Sequence, residues 1–191
     1  WTAFNAVSGQ FFESAILVAP LFLAGAAGLA YTVGRRESGF NLTGIMMAGA
    51  ALRLIAEVPR QNNGSDAVAY HLFGRQLSAS FRSFQFDVDV QRDFIGTGFL
   101  RYLTGLVQVV TLDDRYATFI AFTAFSFVAA TLFYFAFARA VPDGRRQLYA
   151  ALVFLWPSLA YWPSSIGKEA WMILWIAVAS SLQPIHATAT G

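Results

Sequence analysis

The sequence predicts an all-α, polytopic integral membrane protein, with about five membrane helices and two interfacial amphipathic helices in one long external loop. Composition is the first reason. The 191 residues are 57% hydrophobic and 13% charged, with 19 Phe, and the mean hydropathy is +0.51, whereas a soluble domain is about 25% charged. A chain this size cannot hide so much apolar surface in one core, so lipid must cover part of it. The second reason is the 20-residue run "AILVAPLFLAGAAGLAYTVG" (Ala15 to Gly34), which carries no charge. The third is a pair of short arginine-rich connections placed where a membrane topology needs them.

In chain order, Ala15 to Gly34 is the first span, with Pro20 as a kink point and Gly25, Ala26 and Gly28 as small residues for close helix packing. Leu42 to Ala56 is a shorter second span in which Arg53 either snorkels to an interface or pairs with Glu57, one turn on. Thr118 to Ala138 is a full, Phe-rich span, and Leu148 to Trp162 and Ala170 to Leu182 are two shorter runs split by "PSSIGKE". Between the second and third spans, apolar residues recur at helical spacing from Ala67 to Phe81 and from Gly98 to Val110. Each stretch reads as an interfacial helix. The intervening "QFDVDVQRDF" is too charged for lipid and reads as a surface loop. The sequence has no internal repeat and no low-complexity tract.

"GRRESG" (34–39) and "ARAVPDGRRQ" (138–147) both carry excess Arg and are expected in the cytoplasm. The segment from about Glu57 to Arg115, with six Arg against six Asp plus Glu57, then lies outside, together with "PSSIGKE". Two polar elements therefore meet at one membrane face. The opening "WTAFNAVSGQFFES" lacks the basic start of a signal peptide. A chain that opens at Trp1 without Met and closes on "HATATG" just after an apolar run has the look of a fragment.

Several chemistries are excluded. The net charge of +2 gives no signature of nucleic-acid binding, and the absence of Cys removes disulfides and thiolate metal sites. His71 and His186 are too few and too far apart for a zinc site.

Two constellations remain. Asp66 stands at the start of an interfacial helix, with Tyr70 one turn on and His71 beside it. Ser65 or Asp66 can act simply as an N-cap. A carboxylate held there can also serve as a general base towards an acceptor hydroxyl, and a capped helix start is a rigid mount for one. In "WPSSIGKEAW" (Trp162 to Trp171), Ser164 or Ser165 can cap the next helix, Glu169 suits its dipole, and Lys168 can snorkel. The same serines, Gly167 and Lys168 can instead form an anion site for a lipid phosphate. The Walker A spacing is absent. Asp87 and Asp89 form a D-x-D that can ligate a divalent cation, or can lie on one face of a short strand or in a solvated loop. Arg75, Arg82, Arg92 and Arg101 read as headgroup contacts or salt-bridge partners.

"LRLIAEVPRQNNGSDAVAYHLFGRQL" followed by "GFLRYLTGLVQ" resembles the first external loop of the GT-C membrane glycosyltransferases. These are relatives of protein mannosyltransferases and of bacterial lipid A and cell-envelope sugar transferases. "WPSSIGKEAWMIL" is similar to a segment in bacterial envelope members of that group. The resemblance implies an inverting transferase that takes a sugar from a polyprenyl-phosphate donor at the outer face of a bacterial plasma membrane. Asp66 would act on or position the acceptor, and Lys168 would meet the donor phosphate, with Tyr70, His71, Ser164, Ser165 and Glu169 as substrate-binding candidates. A divalent cation is the candidate cofactor. The expected partners are the lipid-linked donor, membrane lipids, and further membrane subunits or the remainder of the chain. Residues 1–41 form an extra span and loop before a GT-C-like module at 42–191. That extra span, and a span count below the family's, fit a truncated chain. The alternative is a non-catalytic membrane scaffold or lipid transporter subunit, in which Asp66 is only a cap.

Overall fold

A computed structural model describes residues 2–62, 66–91 and 93–183, with side chains from Leu17 onward except that of Asn62. The expectations at Ser65, Arg92 and His186 fall outside those residues. Among the described residues, eight α-helices follow one another: α1 (Thr2–Gly34), α2 (Leu42–Asn62), α3 (Asp66–Arg82), α4 (Phe99–Thr111), α5 (Arg115–Ala140), α6 (Arg146–Leu155), α7 (Pro157–Tyr161) and α8 (Lys168–Leu182). The described residues contain no strand, so "FQFDVDV" is a loop.

Among the described residues, three helices are long and apolar enough to cross a membrane, at Leu17–Gly34, Leu42–Gln61 and Arg115–Ala140. The second exceeds its expected length, because the helix runs on through Pro59 and takes Glu57, Arg60 and Gln61 with it. The run expected from Leu148 to Trp162 is two helices of 10 and 5 residues. Trp156 turns to extended backbone ahead of Pro157, which has no N–H to continue the ladder. At 1.5 Å per residue neither piece crosses a bilayer, nor does the 15-residue α8.

α1, α2, α5 and α6 share one core of small and aromatic residues, among them Ala26, Ala30, Met46, Ala50, Phe127 and Phe154. Ala26 and Ala30 form the packed face of α1, whereas Gly25 and Gly28 look onto open space. At Gly49 a Cβ would stand 2.9 Å from Phe154 Cβ and from its carbonyl oxygen, so the close approach of α2 and α6 requires glycine. α8 lies along α5, where Trp171 contacts the rings of Phe125 and Trp175. Glu37 accepts hydrogen bonds from Tyr134 Oη (2.6 Å) and Arg146 (3.4 Å). The two arginine-rich connections thus sit together at one end of the bundle, as the topology requires. Arg115, donating to the Gln61 carbonyl, ties α5 to α2 at the other end.

α3 and α4 pack closely against each other over that second end. Ala67 and Leu100 pack on Phe119, Phe122, Ile166 and Ala170, which joins the pair to α5 and α8. Gly74 and Gly105 face one another across the α3–α4 seam, leaving no room for a Cβ on either. Leu112 and Asp113 both take left-handed backbone to end α4. Asp113 is held there by Ser78 and by Arg82 at 2.7 Å. Asp114 then caps α5, accepting from Ala117 N–H at 2.7 Å.

The arginine inside α2 neither snorkels nor pairs with Glu57. Arg53 is 1% exposed and donates to the carbonyls of Gly49 (3.2 Å), Phe154 (2.9 Å) and Val153 (3.3 Å) and to Ser126 Oγ (3.2 Å). Replacing Arg53 by Ala takes the donor from those buried acceptors, at a cost of about 1–3 kcal/mol for each one left unmatched. Arg53→Lys keeps the charge without the planar fork and should fall between. Thermal unfolding in detergent should rank the three proteins in that order, and equal melting temperatures would remove Arg53 from this role.

His71 provides a second test. Its Nδ1 meets Gln108 Nε2 at 2.6 Å inside the α3–α4 seam. Burial, reinforced by Arg115 and Arg75, holds the imidazole down to about 4. Below the ordinary value of about 6.5 the unfolded chain takes up a proton that the folded chain refuses until about pH 4. Up to about 3 kcal/mol of stability should therefore disappear as pH falls from 6.5 to 4. Burial raises the Asp113 carboxyl, but the hydrogen bonds from Arg82 and Ser78 outweigh it and hold it below the usual carboxylate value, so its loss comes at lower pH still. The melting temperature of His71→Asn should fall less than that of the unaltered protein between pH 6.5 and 4. An unchanged slope would place the titration elsewhere.

Candidate functional site

The end of the bundle tied by Arg115 carries a cavity of about 180 Å³. Its wall comes from four places in the chain: Arg60 in the last turn of α2, Asp66, Ala67 and Tyr70 in the first turn or so of α3, Trp162, Ile166 and Gly167 in the connection, and Lys168 and Glu169 opening α8. Asp66 and Lys168, separated by about a hundred residues in the chain, thus line one small space. Among the described residues no hydrogen bond or ion pair engages either charge, nor that of Glu169.

The local reasons are legible. α3 starts at Asp66, where a carboxylate in the first turn complements the helix dipole. α8 starts at Lys168 with Gly167 as its N-cap and no capping side chain, so neither Ser164 nor Ser165 caps it. Ser164 is buried and donates to the Ala160 carbonyl at 2.6 Å, outside the cavity lining. Ser165, also buried, accepts from Arg60 Nη2 at 2.8 Å. The connection is thereby pinned to α2. Arg60 is held further by the faces of Tyr161 (5.3 Å) and Trp162 (5.0 Å).

Arg60 is the residue that sequence reading missed. A cation in the last turn of a span normally reaches for headgroups, and no local pattern announces that this one folds against a loop 105 residues later. The nearest signal was the aromatic pair Tyr161–Trp162 followed by two serines. Around Arg60 lies a set of buried polar atoms with no partner among the described residues: Glu57 Oε1, Gln61 Nε2, Arg60 Nε and Arg115 Nε. Glu57 and Gln61 are one turn apart on α2 and are 3% and 7% exposed.

His71 does not join the cavity, since its ring is engaged by Gln108. Asp87 and Asp89 stay on the exposed loop and do not line the cavity, and Asp89 Oδ1 accepts from its neighbour Gln91 N–H at 2.7 Å. No group of three or more His, Asp or Glu among the described residues comes together as a metal site. Arg82 is a salt-bridge partner, of Asp113, and Arg101 is buried over the Phe73 ring at 3.6 Å and donates to the Val90 carbonyl.

No family model matches the chain, and neither a curated protein nor a solved structure matches it.

The Arg60 clamp can be measured apart from any activity. In a double-mutant cycle of Arg60→Ala and Trp162→Leu, the coupling energy should be about 0.5–1 kcal/mol, the range for a partly exposed cation over an aromatic face. Strict additivity of the two melting-temperature losses would mean that Arg60 does not hold the connection through Trp162.

Proposed function

We propose that the chain is a membrane part of a GT-C-like inverting glycosyltransferase. It moves a sugar from a polyprenyl-phosphate donor to a cell-envelope or lipid-linked acceptor at the outer face of a bacterial plasma membrane. The observation that carries this reading is the convergence of the unengaged Asp66 carboxylate and Lys168 ammonium on one cavity at the end of the bundle. In this reading that end faces outward, opposite the arginine-rich connections.

The reaction needs a base and a cation about one substrate apart. An acceptor hydroxyl gives its proton to Asp66 as its oxygen attacks the anomeric carbon. The bond from that carbon to the phosphate oxygen breaks, and the electron pair leaves with the phosphate. Lys168, with the guanidinium of Arg60 beside it, balances the charge that develops on the leaving oxygen. The α8 N-terminus adds its partial positive charge on the same side. The roles proposed for His71 and Ser164 are dropped, because both are engaged inside the protein. Tyr70 and Glu169 remain as flanking groups. At about 180 Å³ the cavity is small beside ligand pockets of about 300–1,000 Å³, so it suits the reacting junction better than a whole donor.

The test is transfer of labelled sugar from a panel of polyprenyl-phosphate sugars by the protein in native membranes. Asp66→Asn should lower the rate about 10²- to 10⁴-fold with folded yield unchanged, Lys168→Ala should also lower it, and Glu169→Gln should cost less than either. Full transfer by Asp66→Asn would remove that residue from the chemistry. No transfer from any donor by the unaltered protein would favour the scaffold or lipid transporter reading.

A further inference from the structure

The opposite end of the bundle carries a larger cavity, of about 560 Å³, that the transfer chemistry does not use. Glu37 and Phe40 from the α1–α2 connection face Gly144, Arg145, Arg146, Gln147, Leu148 and Ala151 from the start of α6 across it. We propose that this cavity binds the head group of an anionic phospholipid, with the phosphate at Arg145 and Arg146 and the start of an acyl chain along Leu148 and Ala151.

Charge is the first ground. Residues 35–41 and 139–147 hold Arg35, Arg36, Arg139, Arg145 and Arg146 against Glu37 and Asp143. The Glu37 carboxylate is already shared by Tyr134 and Arg146. Of the lining residues, Arg145 is exposed and has no partner among the described residues. The cavity therefore offers positive charge that the protein does not neutralise.

Depth is the second ground. The candidate spans end at Gly34 and Ala140, so the cavity lies at the level where hydrocarbon gives way to headgroups. The third is the make-up of the wall, which turns within two helical turns from Arg145, Arg146 and Gln147 to Leu148 and Ala151, with Phe40 opposite. Leu148 is 53% exposed. A soluble phosphate would use only the arginine half of that wall. A phosphodiester carrying a hydrocarbon chain fits both halves, and each arginine near an anionic surface strengthens binding about fivefold.

The experiment uses the full chain in neutral detergent micelles, doped with phosphatidylglycerol or with phosphatidylcholine at equal mole fraction, and reads the melting temperature. Phosphatidylglycerol should raise it in a saturable way and phosphatidylcholine should not. Arg145→Gln should weaken the effect about fivefold, and Leu148→Glu should weaken it as well. Arg82→Gln, which removes an arginine that the structure pairs with Asp113 at the other end of the bundle, should leave the lipid-induced rise unchanged. Equal effects of the two lipids, or equal losses in Arg82→Gln and Arg145→Gln, would overturn the site. Inorganic phosphate reproducing the full effect would overturn its assignment to a lipid.

Discussion

One arginine holds together a break that the membrane would otherwise forbid. Pro157 removes the N–H that Val153 would have received, and the extended backbone at Trp156 takes away the donor due to Phe154. Two carbonyls are thus orphaned inside the helix bundle, where each unmet buried group is costly. Arg53 reaches across from α2 and donates to both. It can do so only because Gly49, one turn earlier, lets α2 lie against Phe154. The cost of burying a guanidinium is offset by four acceptors, three of them carbonyls.

The later course of the chain depends on that break. A continuous helix from Arg146 to Trp162 would carry the chain straight past the end of α2. The interrupted one turns into α7 and then into the connection that Arg60 grips through Ser165, Tyr161 and Trp162. α8 then starts beside the first turn of α3. Arg53 and Arg60 lie seven residues apart on α2, two turns of one helix, and serve as successive latches on the same returning stretch of chain. The meeting of Lys168 and Asp66 is the geometric result.

Much of this architecture is legible in the residues. The two full spans, the amphipathic pair and the co-location of the arginine-rich connections follow from hydropathy, periodicity and charge. What resists reading is where long side chains go. Arg53 and Glu57 at i and i+4 look like an ion pair, yet the nearer reward for Arg53 is a set of orphaned carbonyls that exist only because of a proline 104 residues later. His71 beside Tyr70 looks like part of a site, but successive helix residues point about 100° apart, and His71 turns into the α3–α4 seam while Tyr70 lines the cavity. Serines before a helix look like caps, whereas Ser164 bonds backward to Ala160 and Ser165 is taken by Arg60. Local rules name the groups, and the long-range fold decides which partner each one meets.

The treatment of charge separates scaffold from site. Arg53, Arg82 and Arg101 lie within helix pairs and donate to carbonyls or carboxylates supplied by the fold. Asp66, Lys168 and Glu169 have no such donors or acceptors among the described residues, although they lie within a turn of backbone that is otherwise pinned. Structural charges in a protein this apolar are matched by the chain itself, because burying them unmatched costs too much. Charges that share a cavity wall and stay unmatched keep their full interaction for something outside the chain. Behind Arg60, Glu57 Oε1 and Gln61 Nε2 are likewise buried without a partner among the described residues. The end of α2 thus holds polar atoms that the described residues leave unmatched, next to the cavity wall that Asp66 and Lys168 share.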